Sequence, residues 1–133
     1  MYFIDKEGVL LAYSADYENE DVPLISGIRI AGISRSSGMQ KERINKALAL
    51  IDALSHNNRL TRCKIKTIDI TDSRSISFFL SAIDADKLEI KIGDGEFVKR
   101  LDVLATVLQQ LGQDIGRVKY IDLRFEDPIV GPK

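Results

Sequence analysis

The side chains that could do chemistry in this sequence are few and scattered. His56 is the only histidine and Cys63 the only cysteine among 133 residues. A protein zinc site draws three or four ligands from Cys, His and carboxylates. With one of each, and neither beside an acidic cluster, zinc is rejected. Cys63 lies between Arg62 and Lys64, whose charges favour a thiolate, but no second cysteine exists to resolve an oxidised form or close a disulfide. Asp69 with Asp72, or Asp84 with Asp86, could form a carboxylate pair for acid–base work. Both pairs fall beside predicted turns, where Asp is favoured for bonding to local backbone. The stretch KIGDGE, residues 91–96, offers a Gly-containing loop before a helix, a phosphate-binding arrangement in outline. It lacks both the GxGxxG spacing and a Walker lysine. His56 sits in SHNNR at a helix end and reads as a surface residue. No catalytic residue, cofactor ligand or metal ligand is assigned.

The elements that would position these groups are clearer than the chemistry. Tyr2–Asp5 and Val9–Tyr13 are short β-type runs around KEG, with Gly8 at the permissive position of a hairpin. A long polar connection follows, of a length that is usually functional or hides short strands; GIRIAGI, residues 27–33, is one candidate. Ser37 and Gln40 have capping-box spacing ahead of a helix whose stripe is Ile44, Ala47, Leu48, Ile51 and Leu54, ending near HNN. Lys64–Ile70, Ile76–Ile83 and Leu88–Ile92 read as three strands joined by turns short enough for an antiparallel meander. Asp94 is the expected N-cap of a second helix. Its apolar stripe is Val98, Leu101, Leu104, Ala105, Leu108 and Leu111, with Gly112 as the stop. A last strand follows Gly116. The fold class is α/β of the α+β kind: a mixed, largely antiparallel sheet, two helices packed on one face, and a C-terminal edge strand.

Composition agrees with one domain over residues 1–133. Nineteen basic and twenty acidic residues leave a net charge of −1, with the signs interspersed, so no basic face points to nucleic acid. No apolar run is long enough for a membrane span or a signal-peptide core. The abrupt β-type start suggests a domain cut from a longer protein.

The terminal stretch KYIDLRFEDPIVGPK, Lys119 to Lys133, alternates strictly from Tyr120 to Glu126. Ile121, Leu123 and Phe125 face one side, and Tyr120, Asp122, Arg124 and Glu126 the other. One reading is a paired core strand with a frayed tail. The other is a docking edge whose unpaired N–H and C=O groups await another chain.

YIDLRF, preceded by IGDGEFVKRLDVLATVLQQL, resembles the C-terminal β domain of the bacterial cell-division family FtsQ/DivIB. The family pattern is a strand ending as in Ile92-Gly93, a helix opening near Lys99-Arg100-Leu101, and a Y-I/V-D-L-R-F/Y strand, here Tyr120 to Phe125. At the start, YFIDKEGVLL is similar to the family's W-V-D-x-x-G-x-x-L hairpin, with Phe3 in place of the usual Trp. VPLISG is similar to its L-P-x-I/L-x-G segment. The resemblance covers nearly the whole chain in order.

It implies a non-enzymatic scaffold without cofactors, outside the cytoplasm at the inner membrane of the division septum. The implied partners are FtsB and FtsL (DivIC and FtsL in Gram-positive bacteria), with a partner strand adding to the last β-strand. On this basis the docking edge is expected along Lys119, Tyr120, Leu123, Arg124, Phe125 and Glu126. Arg124 and Phe125 match the family's partner-lining pair, and Arg74 matches an arginine able to meet a partner acid. Ile129 and Val130 would add a smaller apolar contact in place of a large aromatic found in some members, and Pro128 would break or bulge the added strand. The alternatives are another extracytoplasmic interaction domain, or a small-molecule or phosphate-binding enzyme using the Gly93 loop.

Overall fold

A computed structural model describes residues 3–4, 10–11, 23–27, 38–72, 74–82 and 85–133. Strands β1 (Phe3–Ile4) and β2 (Leu10–Leu11) pair antiparallel, as the hairpin reading expected. The main sheet has six strands in the spatial order β3 (Leu24–Ser26), β4 (Lys64–Asp69), β5 (Ile76–Ala82), β6 (Ala85–Gly93), β7 (Val118–Asp122) and β8 (Ile129–Pro132). Helix α1 (Gly38–Ser55) connects β3 to its parallel neighbour β4, and α2 (Phe97–Leu111) connects β6 to its parallel neighbour β7. Between these units β4, β5 and β6 form the expected antiparallel meander.

That topology explains why both helices share a face. Strands β3, β4, β6 and β7 all run the same way, and both crossovers step in the same direction across the sheet. Right-handed crossovers then place both helices on one side. The core lies between them and the sheet. Ile68, Phe78, Leu80, Leu88, Ile90, Ile92 and Ile121 line its sheet side, and Ala47, Leu50, Leu101 and Leu104 its helix side, all fully buried. Beyond the end of α1, Asn57 donates to the Asp102 carboxylate at 2.9 Å and Arg59 to the Thr106 hydroxyl at 2.9 Å, clamping the chain to α2.

The helix stripes differ in detail from those expected. On α1 the deepest residues are Ile44, Ala47 and Leu50, while Leu48 is only half-buried. On α2, Val98 is 67% exposed, and Phe97 and Val107 are drawn toward the core instead. The cause is the helix start. Glu96, not Asp94, is the N-cap, with a left-handed φ of 54° and no side-chain capping bond. Phe97 thereby opens the 97–101–104–108 line that faces the sheet, and Val98 falls about 100° away. Gly112 ends α2 as expected, its N–H donating to the Leu108 carbonyl.

Two strands were not expected. β3 lies within VPLISG, where three residues are too few to show a period. Its Ser26 carbonyl accepts the Ile70 N–H at 2.9 Å. Gly27, at φ 96°, ends it so close to the Thr71 backbone that any Cβ would collide. GIRIAGI from Ile28 onward and the Ser37 cap lie outside the described residues.

The second unexpected strand is β8, and it overturns the free edge expected along Lys119 to Glu126. β7 is paired on both sides, with β6 and with β8. The alternating run leaves the sheet after Asp122, so Phe125 and Glu126 belong to the turn between β7 and β8. Among the described residues the sheet therefore ends at this side on β8, as it ends at the other on β3.

Away from the helices, Thr67, Phe79, Glu89 and Tyr120 stand in register across four strands, each half-buried. The Lys87 ammonium lies 5.2 Å above the Phe79 ring and that of Lys91 4.5 Å above Tyr120, so lysine stems cover the aromatic surface.

Candidate functional site

The residues expected to bind a partner converge on one corner, though not in the arrangement expected. The hairpin β7–β8 carries most of them. Ile121 stands opposite Val130, Asp122 opposite Ile129, and Tyr120 opposite Gly131. Gly131 is buried because the Tyr120 ring lies across it, where a Cβ would overlap the ring. A side chain at 131 would lift Tyr120 and loosen β8. Apolar exposure is concentrated here: Phe125 is 57% exposed, Ile129 46% and Val130 38%. Lys119 and Glu126 are exposed as well, whereas Leu123 is buried in the core and its N–H bonds to the Lys91 carbonyl. Leu123 therefore supports the edge from behind, and the reachable apolar groups are the other three.

Arg124 is already engaged within the chain. Its Nε donates to Asp122 Oδ1 at 2.9 Å and its Nη2 to Oδ2 at 2.7 Å, a bidentate pair, while Nη1 donates to Ser75 Oγ at 3.0 Å. The backbone N–H of Arg124 also donates to Asp122 Oδ1, at 3.0 Å. Asp122 thus holds the chain where β7 turns away from the sheet. Arg124 further lies 5.6 Å from the centre of the Phe125 ring and steadies that side chain. Through Ser75 it reaches the residue next to Arg74. Arg74 is exposed, its N–H bonded to Asp72 Oδ1 at 2.9 Å.

Asp122 is the one buried charged residue among those described. The side-chain hydrogen bonds from Arg124 hold its carboxyl below the usual carboxylate range; burial opposes them, and the Arg124 N–H and the charges of Arg124 and Lys91 assist. The same pair raises the Arg124 pKa. A carboxylate with a lowered folded-state pKa contributes stability above its unfolded value near 3.9, and loses it as pH falls through the folded value. Asp122→Asn should therefore cost about 1–2 kcal/mol at pH 7, discounted for water reaching Arg124. Urea midpoints should show wild type and variant converging as pH is lowered below 3.9. A gap that stays constant with pH would assign the loss to something other than the ion pair.

The groups first considered for catalysis are placed as local structure. Asp69 Oδ1 accepts the Thr71 N–H at 2.9 Å, and Asp72 serves Arg74 in the same way, both in turns. Asp84 lies outside the described residues. His56 is exposed at the end of α1, where Nδ1 lies 2.8 Å from the Asp52 carbonyl oxygen. Burial pushes the Cys63 thiol up, away from the thiolate its basic neighbours suggested. At the Gly93 loop, the Arg100 guanidinium donates to the Ile92 carbonyl and occupies the space that a side chain on Gly93 would need. Among the described residues no group of three or more His, Cys, Asp and Glu gathers as a metal site, and no helix is long and apolar enough to cross a membrane. Sequence reasoning placed Asp122 in the outward set but gave it no role, because its pairing with Arg124 arises where the chain turns away from the sheet after β7.

Residues 1–124 match the family described as "Cell division protein FtsQ/DivIB, C-terminal". The chain is 29% identical over 133 residues to the cell division protein FtsQ of Geobacter sp. (strain M21), and 26% identical over 133 residues to that of Geotalea daltonii. Each alignment covers all of this chain and 47% of the relative. The FtsQ of Syntrophotalea carbinolica is 22% identical across 98% of this chain and 45% of its own length. The chain therefore spans about half the length of the curated relatives it matches.

Proposed function

This chain belongs to the FtsQ/DivIB C-terminal family of bacterial cell-division proteins, and from that premise we propose that it is a non-enzymatic scaffold domain of the division machinery. In this reading it holds an FtsB- or DivIC-type partner by strand addition at β8, and with it an FtsL-type protein. It works at the division septum, on the extracytoplasmic face of the inner membrane. The single observation that supports the reading is the outer side of β8, which pairs with no other strand among the described residues and is bordered by the exposed Phe125, Ile129 and Val130. A strand edge beside exposed apolar side chains is the surface that strand addition requires: backbone pairing supplies affinity and side chains supply selectivity.

This docking position replaces the earlier one. The partner lies along Ile129–Pro132 rather than Lys119–Glu126, with Phe125 and Arg74 at its margin. Proline at Glu126, a natural probe of the expected edge, would now test only a turn.

The reading is tested by titrating the domain with a synthetic peptide spanning an extended segment of an FtsB-type protein, followed by calorimetry. Ile129→Lys should weaken binding tenfold or more while leaving the thermal midpoint in place, because Ile129 is 46% exposed and a lysine opposite Asp122 meets a charge of opposite sign. Wild-type affinity in that variant would remove β8 as the docking edge.

A further inference from the structure

We infer that the outer edge of β8 is poor in hydrogen-bond donors, and so pairs with an extended, proline-free segment of a different protein in preference to a second copy of this chain. The inference rests on the docking reading of β8 and adds its register and its selectivity. Two hydrogen bonds fix which way the backbone of β8 points. The Leu123 N–H donates to the Lys91 carbonyl on β6 at 2.8 Å. By alternation, Ile121 and Leu123 turn their backbone groups toward β6, and Tyr120 and Asp122 turn theirs toward β8. Their partners are Gly131 and Ile129, which therefore exchange hydrogen bonds with β7. At the other end the Lys133 N–H donates to the Arg117 carbonyl at 3.0 Å, placing Lys133 in the same inward set. The outward positions are Pro128, Val130 and Pro132.

Proline has no N–H. Of these three residues, only Val130 offers a donor to an incoming strand, while all three carbonyls can still accept. Each proline sits where its missing N–H costs the β7–β8 ladder nothing, the position edge strands tolerate. Two copies pairing along this edge bring one donor each, so at most two ladder bonds can form, whatever the register. A foreign strand with its own amides can take the Val130 N–H and donate into three carbonyls, up to four bonds centred on Val130. The edge thus disfavours self-pairing, a recurrent hazard of exposed strands, without closing itself to a partner. Val130, 38% exposed, favours an apolar residue opposite it. The exposed Glu126 and Asp127 at one end of the hairpin, and the exposed Arg117, Lys119 and Lys133 at the other, favour a basic and an acidic residue respectively on the incoming segment.

Two measurements test this. The first needs no partner: Pro128→Ala with Pro132→Ala restores two outward donors per copy, and sedimentation velocity should show self-association at least tenfold tighter than wild type. Unchanged self-association would overturn the donor argument. The second uses the FtsB-type peptide and a semisynthetic domain with an ester in place of the Ile129–Val130 amide, which removes the outward Val130 donor without adding bulk to the edge. Affinity should fall tenfold or more with an unchanged thermal midpoint. Undiminished affinity would overturn the inference while leaving β8 as the docking edge. Peptide that fails to bind even the unmodified domain would instead overturn the docking reading and the foreign partner with it, leaving the proline variant to judge self-pairing alone.

Discussion

Leu104→Ala should destabilise the domain by about 2–5 kcal/mol, the usual cost of truncating a buried leucine. Leu104 is fully buried on the line of α2 that faces the sheet. Its neighbours in the core come from both helices and from strands on either side of the β6–α2–β7 crossover. A cavity there cannot be refilled by one flexible loop, which argues for the upper half of the range. Val98→Ala supplies the contrast on the same helix. Val98 is 67% exposed, so its truncation removes almost no buried surface, and the change should stay within about 0.5 kcal/mol. Urea denaturation of the two variants measures both. Equal losses, or a Leu104→Ala cost below about 1 kcal/mol, would contradict a core shared by the two helices and the sheet.

How far such positions could be read from the sequence depended on how local their cause was. Leu88, Ile90 and Ile92 alternate with Glu89 and Lys91, and the pattern survives unchanged because β6 has one buried face and one half-covered face. Leu101, Leu104, Ala105 and the Gly112 stop were equally legible, since a helical period over fifteen residues outweighs a misplaced cap. Val98 was misread because the helix start depends on where Glu96 turns, a tertiary choice with no side-chain capping bond to announce it. Leu50 was missed for a related reason: which side of a broad apolar stripe goes deepest is decided by the facing helix.

The site was legible in outline and not in detail. Pro128, Gly131 and Pro132 erase the composition that marks a strand, so β8 read as a tail. Its existence follows instead from tertiary facts: the Tyr120 ring needs a glycine beneath it, and the prolines can sit only on an outer edge. The family resemblance pointed to this corner but took for a free edge the strand β7, which is paired on both sides.

The same correction changes what Arg124→Glu should do. Were Arg124 a free charge at a partner-facing rim, reversing it would weaken binding and leave the fold alone. Its guanidinium instead holds Asp122, whose side chain is 6% exposed, through a bidentate pair, and reaches Ser75 on the neighbouring segment. Glutamate would strand a buried carboxylate and set a second negative charge beside it. Breaking a buried pair from one side costs about 3–5 kcal/mol; the Arg124 side chain is 35% exposed, so solvent screening brings the expected loss to about 2–3 kcal/mol. The Asp122→Arg, Arg124→Glu double variant reverses the pair, and should recover part of that loss in a double-mutant cycle. Recovery will be incomplete, because arginine at 122 cannot accept the Arg124-position backbone N–H that Asp122 Oδ1 now takes at 3.0 Å. Any loss of partner binding in Arg124→Glu should accordingly follow the fraction unfolded and disappear where the variant is fully folded. A variant as stable as wild type that still binds poorly would return Arg124 to the rim, and would mean that the pair with Asp122 opens when the partner docks.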